Sequence, residues 1–256
     1  MENGRLLIYT CCNKKYEMFI PLFILSHLIH NDNIDIEIGV SSKKLNSDIE
    51  KAISIIRDNY KDSEILISYD SFIEEDGYAI FDGKKMLFNT VRFIRQPLIK
   101  DEYTYITDID VICCESILKT HLDDMSRFNS DYSNIIRKDS NRMTGLHFTK
   151  TDIYWPLPDL CGINLIDNDE IILNKIVSKR NNINKNRKFR PVHGIHMSLN
   201  RPYVGGNGVL LGWGADKWRE QWVQLAQSKI YNIIYNYFNK DLKVLIQKLE
   251  AYYGRG

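Results

Sequence analysis

The chain has 256 residues, and its 34 lysines and arginines against 33 aspartates and glutamates leave a formal net charge of +1. This balance gives no electrostatic reason to bind a polyanion, so no nucleic-acid partner is expected. The length is enough to bury a sizeable core, in one large α/β domain or two small ones.

Arg5 to Cys12 predicts a first strand, and Tyr16 to His30 an amphipathic helix in which Pro21 is tolerated only near the first turn. Ile34 to Val40 alternates apolar and acidic residues and predicts a second strand. Asn46 to Asn59 predicts a helix, with Ile49, Ile53 and Ile56 at helical spacing, and Glu64 to Tyr69 a third strand. A loop follows. Lys84 to Ile99 predicts a helix stopped near Pro97. The apolar, β-branched run from Tyr103 predicts a fourth strand. This alternation implies an α/β fold with a mainly parallel sheet and helices on both faces. Ligands of such sheets bind outside the carboxyl ends of the strands, here near Tyr9-Thr10 and Asp108-Ile109-Asp110.

Asp108 and Asp110 stand one residue apart after the fourth strand. On an extended strand, residues i and i+2 share a face, so both carboxylates would address one point. Two such charges repel unless a cation lies between them. Hard oxygen ligands suit Mg²⁺ or Mn²⁺, which bind through one or two carboxylates together with substrate phosphates. The pair therefore reads as a metal–diphosphate site, or else as a solvated turn after a core strand.

The cysteines fall as Cys11-Cys12, Cys113-Cys114 and a single Cys161, without CxxC spacing. The adjacent pairs read as small core residues, and the set suggests a reducing compartment rather than a zinc or redox motif. The first residues, Met1 to Ile8, lack signal-peptide character, and no apolar run is long enough to span a bilayer. A cytoplasmic protein, soluble or peripheral on the inner face of a membrane, is expected. The stretch Lys179 to Arg190 is a candidate mobile loop.

Four features in this order resemble the GT-A fold glycosyltransferases, in particular the retaining family 8 enzymes. The first is the Asp108-Ile109-Asp110 segment. Arg142-Met-Thr-Gly-Leu-His-Phe148, centred on Gly145, is similar to the family's glycine loop. Asn168-Asp-Glu-Ile-Ile-Leu-Asn174 resembles its Asp-Gln-x-x-Leu-Asn segment, with Asp169 at the Asp and Glu170 at the Gln. His193-Gly-Ile-His-Met-Ser-Leu-Asn-Arg-Pro-Tyr203 resembles its C-terminal histidine segment, with the family's Lys and Trp replaced by Arg201 and Tyr203. The spacing fits neither histidine fully; His196 is preferred over His193.

The resemblance implies a GT-A domain over residues 1–215, with a C-terminal helical extension over 216–256. It implies a hexosyltransferase that uses a nucleoside-diphosphate sugar, with UDP as the expected carrier, and a saccharide or lipid-linked acceptor. Bacterial surface polysaccharide or lipooligosaccharide synthesis would be its setting. Asp108, Asp110 and His196 would hold Mn²⁺ or Mg²⁺. Tyr9, Thr10, Asn89, Arg92, Ile109, Gly145 and Arg201 would line the nucleotide-sugar site together with the two aspartates. Asp169 and Glu170 would be catalytic, near the sugar and the acceptor hydroxyl.

Lys217 to Tyr253 predicts helices, with Trp218 and Trp222 four apart and an apolar aromatic face of Tyr231, Tyr235 and Phe238 with Ile230, Ile234 and Leu242. That face would either cover the catalytic domain or rest on a membrane interface. Two other functions compete with the transferase reading. Asp108 could be the nucleophile of a haloacid-dehalogenase-like phosphatase, or the chain could bind a nucleotide sugar without catalysis.

Overall fold

The computed structural model describes residues 4–137, 140–181, 193–197, 203–204, 210–211 and 217–254. Its centre is a six-stranded sheet. The strands are β1 (Leu6–Cys12), β2 (Ile34–Val40), β3 (Ile65–Ser68), β7 (Tyr103–Ile106), β9 (Tyr132–Ser133) and β10 (His147–Lys150), in the order β3-β2-β1-β7-β10-β9. β3, β2, β1 and β7 run parallel, while β10 is antiparallel to both β7 and β9. β1, β2 and β7 are buried along their whole length, as expected of strands covered on both faces. The chain reverses its winding between β1 and β7, which opens a crevice at their carboxyl ends.

The helix α1 (Ile20–His30) and the helix α2 (Ser47–Asn59) connect the first parallel strands. Pro21 sits in the first turn of α1, where its missing N–H costs nothing. Asn46 caps α2 by accepting from the N–H of Asp48 at 2.8 Å.

The segment expected as a loop followed by one long helix differs. It forms an antiparallel meander of β4 (Ile73–Glu75), β5 (Tyr78–Phe81) and β6 (Lys84–Met86). Helix begins only afterwards, with a 3-10 turn at Phe88–Thr90 that runs into α3 (Val91–Ile94). Both turns of the meander are Asp-Gly pairs with positive φ, Asp76-Gly77 at 48° and 80° and Asp82-Gly83 at 49° and 68°. Asp-Gly between extended runs is the two-residue hairpin signature, and it is the signal in the sequence that marks this meander.

The rest of the chain follows β7 with β8 (Val111–Cys113), α4 (Leu118–Phe128), α5 (Thr151–Tyr154) and α6 (Asp169–Ser178). Next come the short strands β11 (Gly194–His196), β12 (Tyr203–Val204) and β13 (Leu210–Leu211). The C-terminal helices are α7 (Arg219–Gln227), α8 (Lys229–Ile234) and α9 (Lys240–Tyr253). Trp222, Tyr231, Phe238, Leu242 and Ile246 are buried in the same hydrophobic cluster as Leu6, Phe23 and Ile53 of the sheet and its helices. The aromatic face that could have met a membrane is therefore covered by the protein's own core. No helix among the described residues is long and apolar enough to cross a membrane. Cys11, Cys12, Cys113 and Cys114 are buried free thiols, as expected of core residues, and Cys161 is an exposed one. The candidate loop at Lys179 to Arg190 lies outside the described residues from 182 onward.

Candidate functional site at the carboxyl ends of the parallel strands

A cleft of about 610 Å³ opens where β1 and β7 end. Asn89, Arg92, Asp108, Ile109, Asp110, Gly145, Asp169, Glu170 and His196 all line it. Nine of the residues singled out in the sequence thus converge, from segments spread between positions 89 and 196.

The two aspartates arrive differently from the expectation. β7 stops at Ile106, and Asp108 to Val111 form a tight turn in which the N–H of Val111 donates to the carbonyl of Asp108 at 3.2 Å. The turn, not strand pleating, brings both carboxylates to the cleft. Asp108 faces Arg92, with Oδ1 2.6 Å from Nη1. Asp110 faces His196, with Oδ1 3.0 Å from Nε2.

Arg92 is the hub of the site. Its side chain is 5 % exposed, and its Nη2 donates to Oδ2 of Asp169 at 3.3 Å while Nη1 holds Asp108. One guanidinium therefore bridges the carboxylates of the β7–β8 turn and of the α6 N-terminus. Burial raises the pKa of the Asp169 carboxyl, and Arg92 opposes that shift. Asn168 caps α6 by accepting from the N–H of Glu170 at 3.1 Å, which fixes the start of the helix.

Glu170 pairs with Arg137, which the sequence did not single out, and with Arg142, which it named only as the start of the glycine loop. Arg137 donates through Nε at 2.7 Å and again through Nη2, and Arg142 donates through Nε at 2.9 Å. Burial alone would raise the Glu170 pKa, but these two partners outweigh it and hold the carboxyl below its ordinary value. Glu170, expected beside Asp169 as a catalytic group, lines the cleft with its carboxylate held in ion pairs by these two arginines.

β11 completes the cleft by pairing antiparallel with β8, which places His196 opposite Val111. A Cβ on Gly194 would lie 1.7 Å from the carbonyl oxygen of Ile112, so only glycine allows this approach. His193 does not reach the cleft. It is buried, with Nδ1 2.7 Å from Glu115 and Nε2 2.8 Å from Nε2 of His121.

Tyr9 and Thr10 do not line the cleft either; both are fully buried. Tyr9 donates its hydroxyl to the carbonyl of Arg95 at 2.8 Å, and Arg95 in turn pairs with buried Glu37 at 2.8 Å. β1 runs on to Cys12, so Cys11, Cys12 and Asn13 take the place expected for Tyr9 and Thr10. Arg201 lies outside the described residues.

Among the described residues, no three His, Cys, Asp or Glu side chains are grouped closely enough to count as a metal cluster. The expected set of Asp108, Asp110 and His196 is divided. Asp110 and His196 form an adjacent oxygen–nitrogen donor pair that suits a borderline divalent ion, while Asp108 is taken by Arg92.

Solved glycosyltransferases share this fold. The glycosyltransferase GlyE of Streptococcus pneumoniae TIGR4 superposes with a TM-score of 0.52 at 13% identity, over 94% of this chain and 64% of that one. Its apo form gives the same values. The bifunctional glycosyltransferase WbbM, in its apo structure, gives a TM-score of 0.50 at 12% identity, over 92% of this chain and 52% of that one. This chain therefore spans less than two thirds of either protein, and the likeness is one of fold. No protein-family model and no curated protein matches the sequence.

Proposed function

We propose that this chain is a hexosyltransferase. It would take a hexose from a nucleoside-diphosphate sugar, with UDP as carrier, and pass it to a saccharide or lipid-linked acceptor with retention of anomeric configuration. One observation carries the reading. In a fold shared with glycosyltransferases, a single buried guanidinium ties the Asp108 turn to Asp169 at the crevice where an open α/β sheet binds its ligands.

The chemistry follows from where charge develops. As the bond between the anomeric carbon and the diphosphate oxygen breaks, the diphosphate gains negative charge and the sugar ring gains positive charge. Groups already aimed at such charge usually make the largest catalytic contribution. Asp110 and His196 would hold Mn²⁺ or Mg²⁺, with Asp108 beside them. A bound ion would neutralise the leaving diphosphate as a Lewis acid. Asp169 serves the sugar in this reading. Its carboxylate form stabilises the positive ring, and the contact with Arg92 favours that form against the effect of burial. Arg92 is a positioning residue, because its two terminal nitrogens are both taken by aspartates. Asn89, Ile109 and Gly145 shape the wall against which the donor lies.

The phosphatase reading is less well supported. A nucleophilic Asp108 would have to attack phosphorus while its carboxylate is held 2.6 Å from Arg92.

The test is release of UDP from UDP-hexoses in the presence of Mn²⁺, with and without acceptor sugars. Asp169→Asn is expected to lower turnover by about 100-fold while circular dichroism is unchanged. Wild-type turnover in that variant, or full activity in excess EDTA, would overturn the reading.

A further inference from the structure

Arg137 and Arg142 face each other across a short antiparallel contact. The N–H of Arg137 donates to the carbonyl of Arg142 at 2.7 Å, and Ile136 bridges to Met143 beside them. Like charges directly opposite one another across strands are destabilising. Here a single anion, Glu170, relieves them. Two guanidinium charges against one carboxylate leave one positive charge in excess.

That local excess sits on the two arginines at the cleft, whose lining elsewhere carries Asp108, Asp110 and Asp169. Arg137, Arg142 and Glu170 all line it, as do Asp169 and Gly145. The arginine side chains are 32 % and 40 % exposed, so solvent and ligands reach them. Both are also oriented. Arg137 uses Nε and Nη2 on Glu170, and Arg142 uses Nε and Nη2, the latter 2.7 Å from Oε2. The Nη1 of each has no partner among the described residues. Asp169 acts on Arg137 only at longer range, and it shares Arg92 with Asp108. Two oriented guanidinium groups with spare donors form the geometry that selects carboxylate and phosphate groups.

We infer that Arg137 and Arg142, braced by Glu170, form an anion subsite at the sugar end of the cleft, which binds a carboxylate or phosphate group carried by a substrate sugar. This rests on the transferase reading for the direction of the cleft. The anion can belong to the donor sugar, as in a hexuronic acid, or to the acceptor, as in a phosphorylated sugar.

Calorimetry on the full chain with Mn²⁺ present tests both sources. The donor arm compares UDP-glucose with UDP-glucuronic acid. The acceptor arm, at saturating UDP, compares glucose with glucose 6-phosphate and glucuronic acid. In one arm the anionic ligand is expected to bind about ten-fold more tightly than the neutral one, equivalent to one good charge-assisted contact. Arg142→Gln is expected to reduce that preference to below about two-fold and to leave the affinity for UDP unchanged. Arg142→Lys, which keeps the charge, should retain part of it. Equal binding of neutral and anionic ligands in both arms would overturn the subsite. So would an equal loss of UDP affinity in Arg142→Gln, which would assign the arginines to the diphosphate. If Arg142→Gln fails to fold, Arg137→Gln serves as the second variant, and the wild-type comparison still decides. If no nucleotide binds but glucose 6-phosphate does, in an Arg142-dependent way, the subsite stands and the transferase reading falls. If neither binds, both fall.

Discussion

Gly145 and Arg92 define each other's position. A Cβ built on Gly145 would lie 2.7 Å from Nη2 of Arg92, the atom that holds Asp169. The glycine loop therefore leaves space for a buried guanidinium as well as for a ligand. Gly145→Ala should push Arg92 off Asp169, cost about 1–3 kcal/mol through overpacking, and lower turnover by more than the loss of folded protein explains. Chemical denaturation and initial rates on the same preparation check this. A variant with normal turnover would show that the Arg92–Asp169 contact is not needed.

Glu170 gives the fold a definite pH dependence. Its folded pKa lies below the ordinary value of 4.5. A depressed carboxyl contributes stability that is fully present above the unfolded value and is lost as pH falls through the folded one. Glu170→Gln should therefore cost about 1–2 kcal/mol at pH 7, allowing for the solvent exposure of both arginines. The gap to wild type should close as pH falls below about 4.5. Urea titrations at several pH values measure it. A gap that is constant with pH would place the effect in packing rather than in charge.

Asp169 has the opposite sign. Burial raises its folded pKa, so the charged form strains the fold, and stability is lost as pH rises from the unfolded value through the folded one. Asp169→Asn should be as stable as wild type or more so at pH 7, while losing activity. A Tm that falls in this variant would mean that the pairing with Arg92 outweighs the cost of burial.

The C-terminal helices test the role of the aromatic face. Trp222 is 2 % exposed and packs edge-on against Tyr231 at 5.9 Å between ring centroids. Trp222→Ala should cost about 3–5 kcal/mol, as expected for a large side chain removed from a core. Stability unchanged within about 0.5 kcal/mol would mean that the helix does not cover the sheet in solution.

The parallel strands were legible because strands buried on both faces read as apolar runs, as in Leu6 to Cys12 and Tyr103 to Ile106. The meander at Ile73 to Met86 was harder, since it is short and largely exposed; only its two Asp-Gly turns betray it. For the site, local motifs located Asp108, Asp110, Gly145, Asp169 and His196 at the cleft. What each side chain touches depends on contacts across long sequence distances. Glu170 meets Arg137 across 33 positions and Arg92 meets Asp169 across 77, and no periodicity encodes either. Tyr9 was misplaced for the same reason: the partner that buries its hydroxyl is Arg95, 86 positions away.

The two histidines of the C-terminal segment separate binding from stability. His196 stands at the cleft against Asp110, whereas His193 lies in a chain, buried except at its Glu115 end, that runs from Glu115 through His193, His121 and Ser133 to Asp124. Its four links measure 2.7, 2.8, 2.7 and 2.7 Å. Removing a member of such a chain takes a hydrogen bond from a buried neighbour, here the Nε2 of His121, which costs about 1–3 kcal/mol. His193→Ala should therefore lower the Tm by several degrees, yet leave Mn²⁺-dependent UDP affinity within about three-fold of wild type wherever the variant is folded. The backbone contact that carries β11, from the N–H of Cys114 to the carbonyl of His193 at 2.7 Å, does not depend on the side chain. His196→Ala should do the reverse: a Tm close to wild type, and a loss of about ten-fold or more in UDP affinity that appears only when Mn²⁺ is present. Calorimetric titration of UDP into both variants, with Mn²⁺ and with EDTA, together with melting curves, decides between them. An equal loss with and without Mn²⁺ in His196→Ala would make the imidazole a direct contact to the diphosphate. A Mn²⁺-dependent loss confined to His193→Ala would take the ion away from Asp110 and His196 altogether.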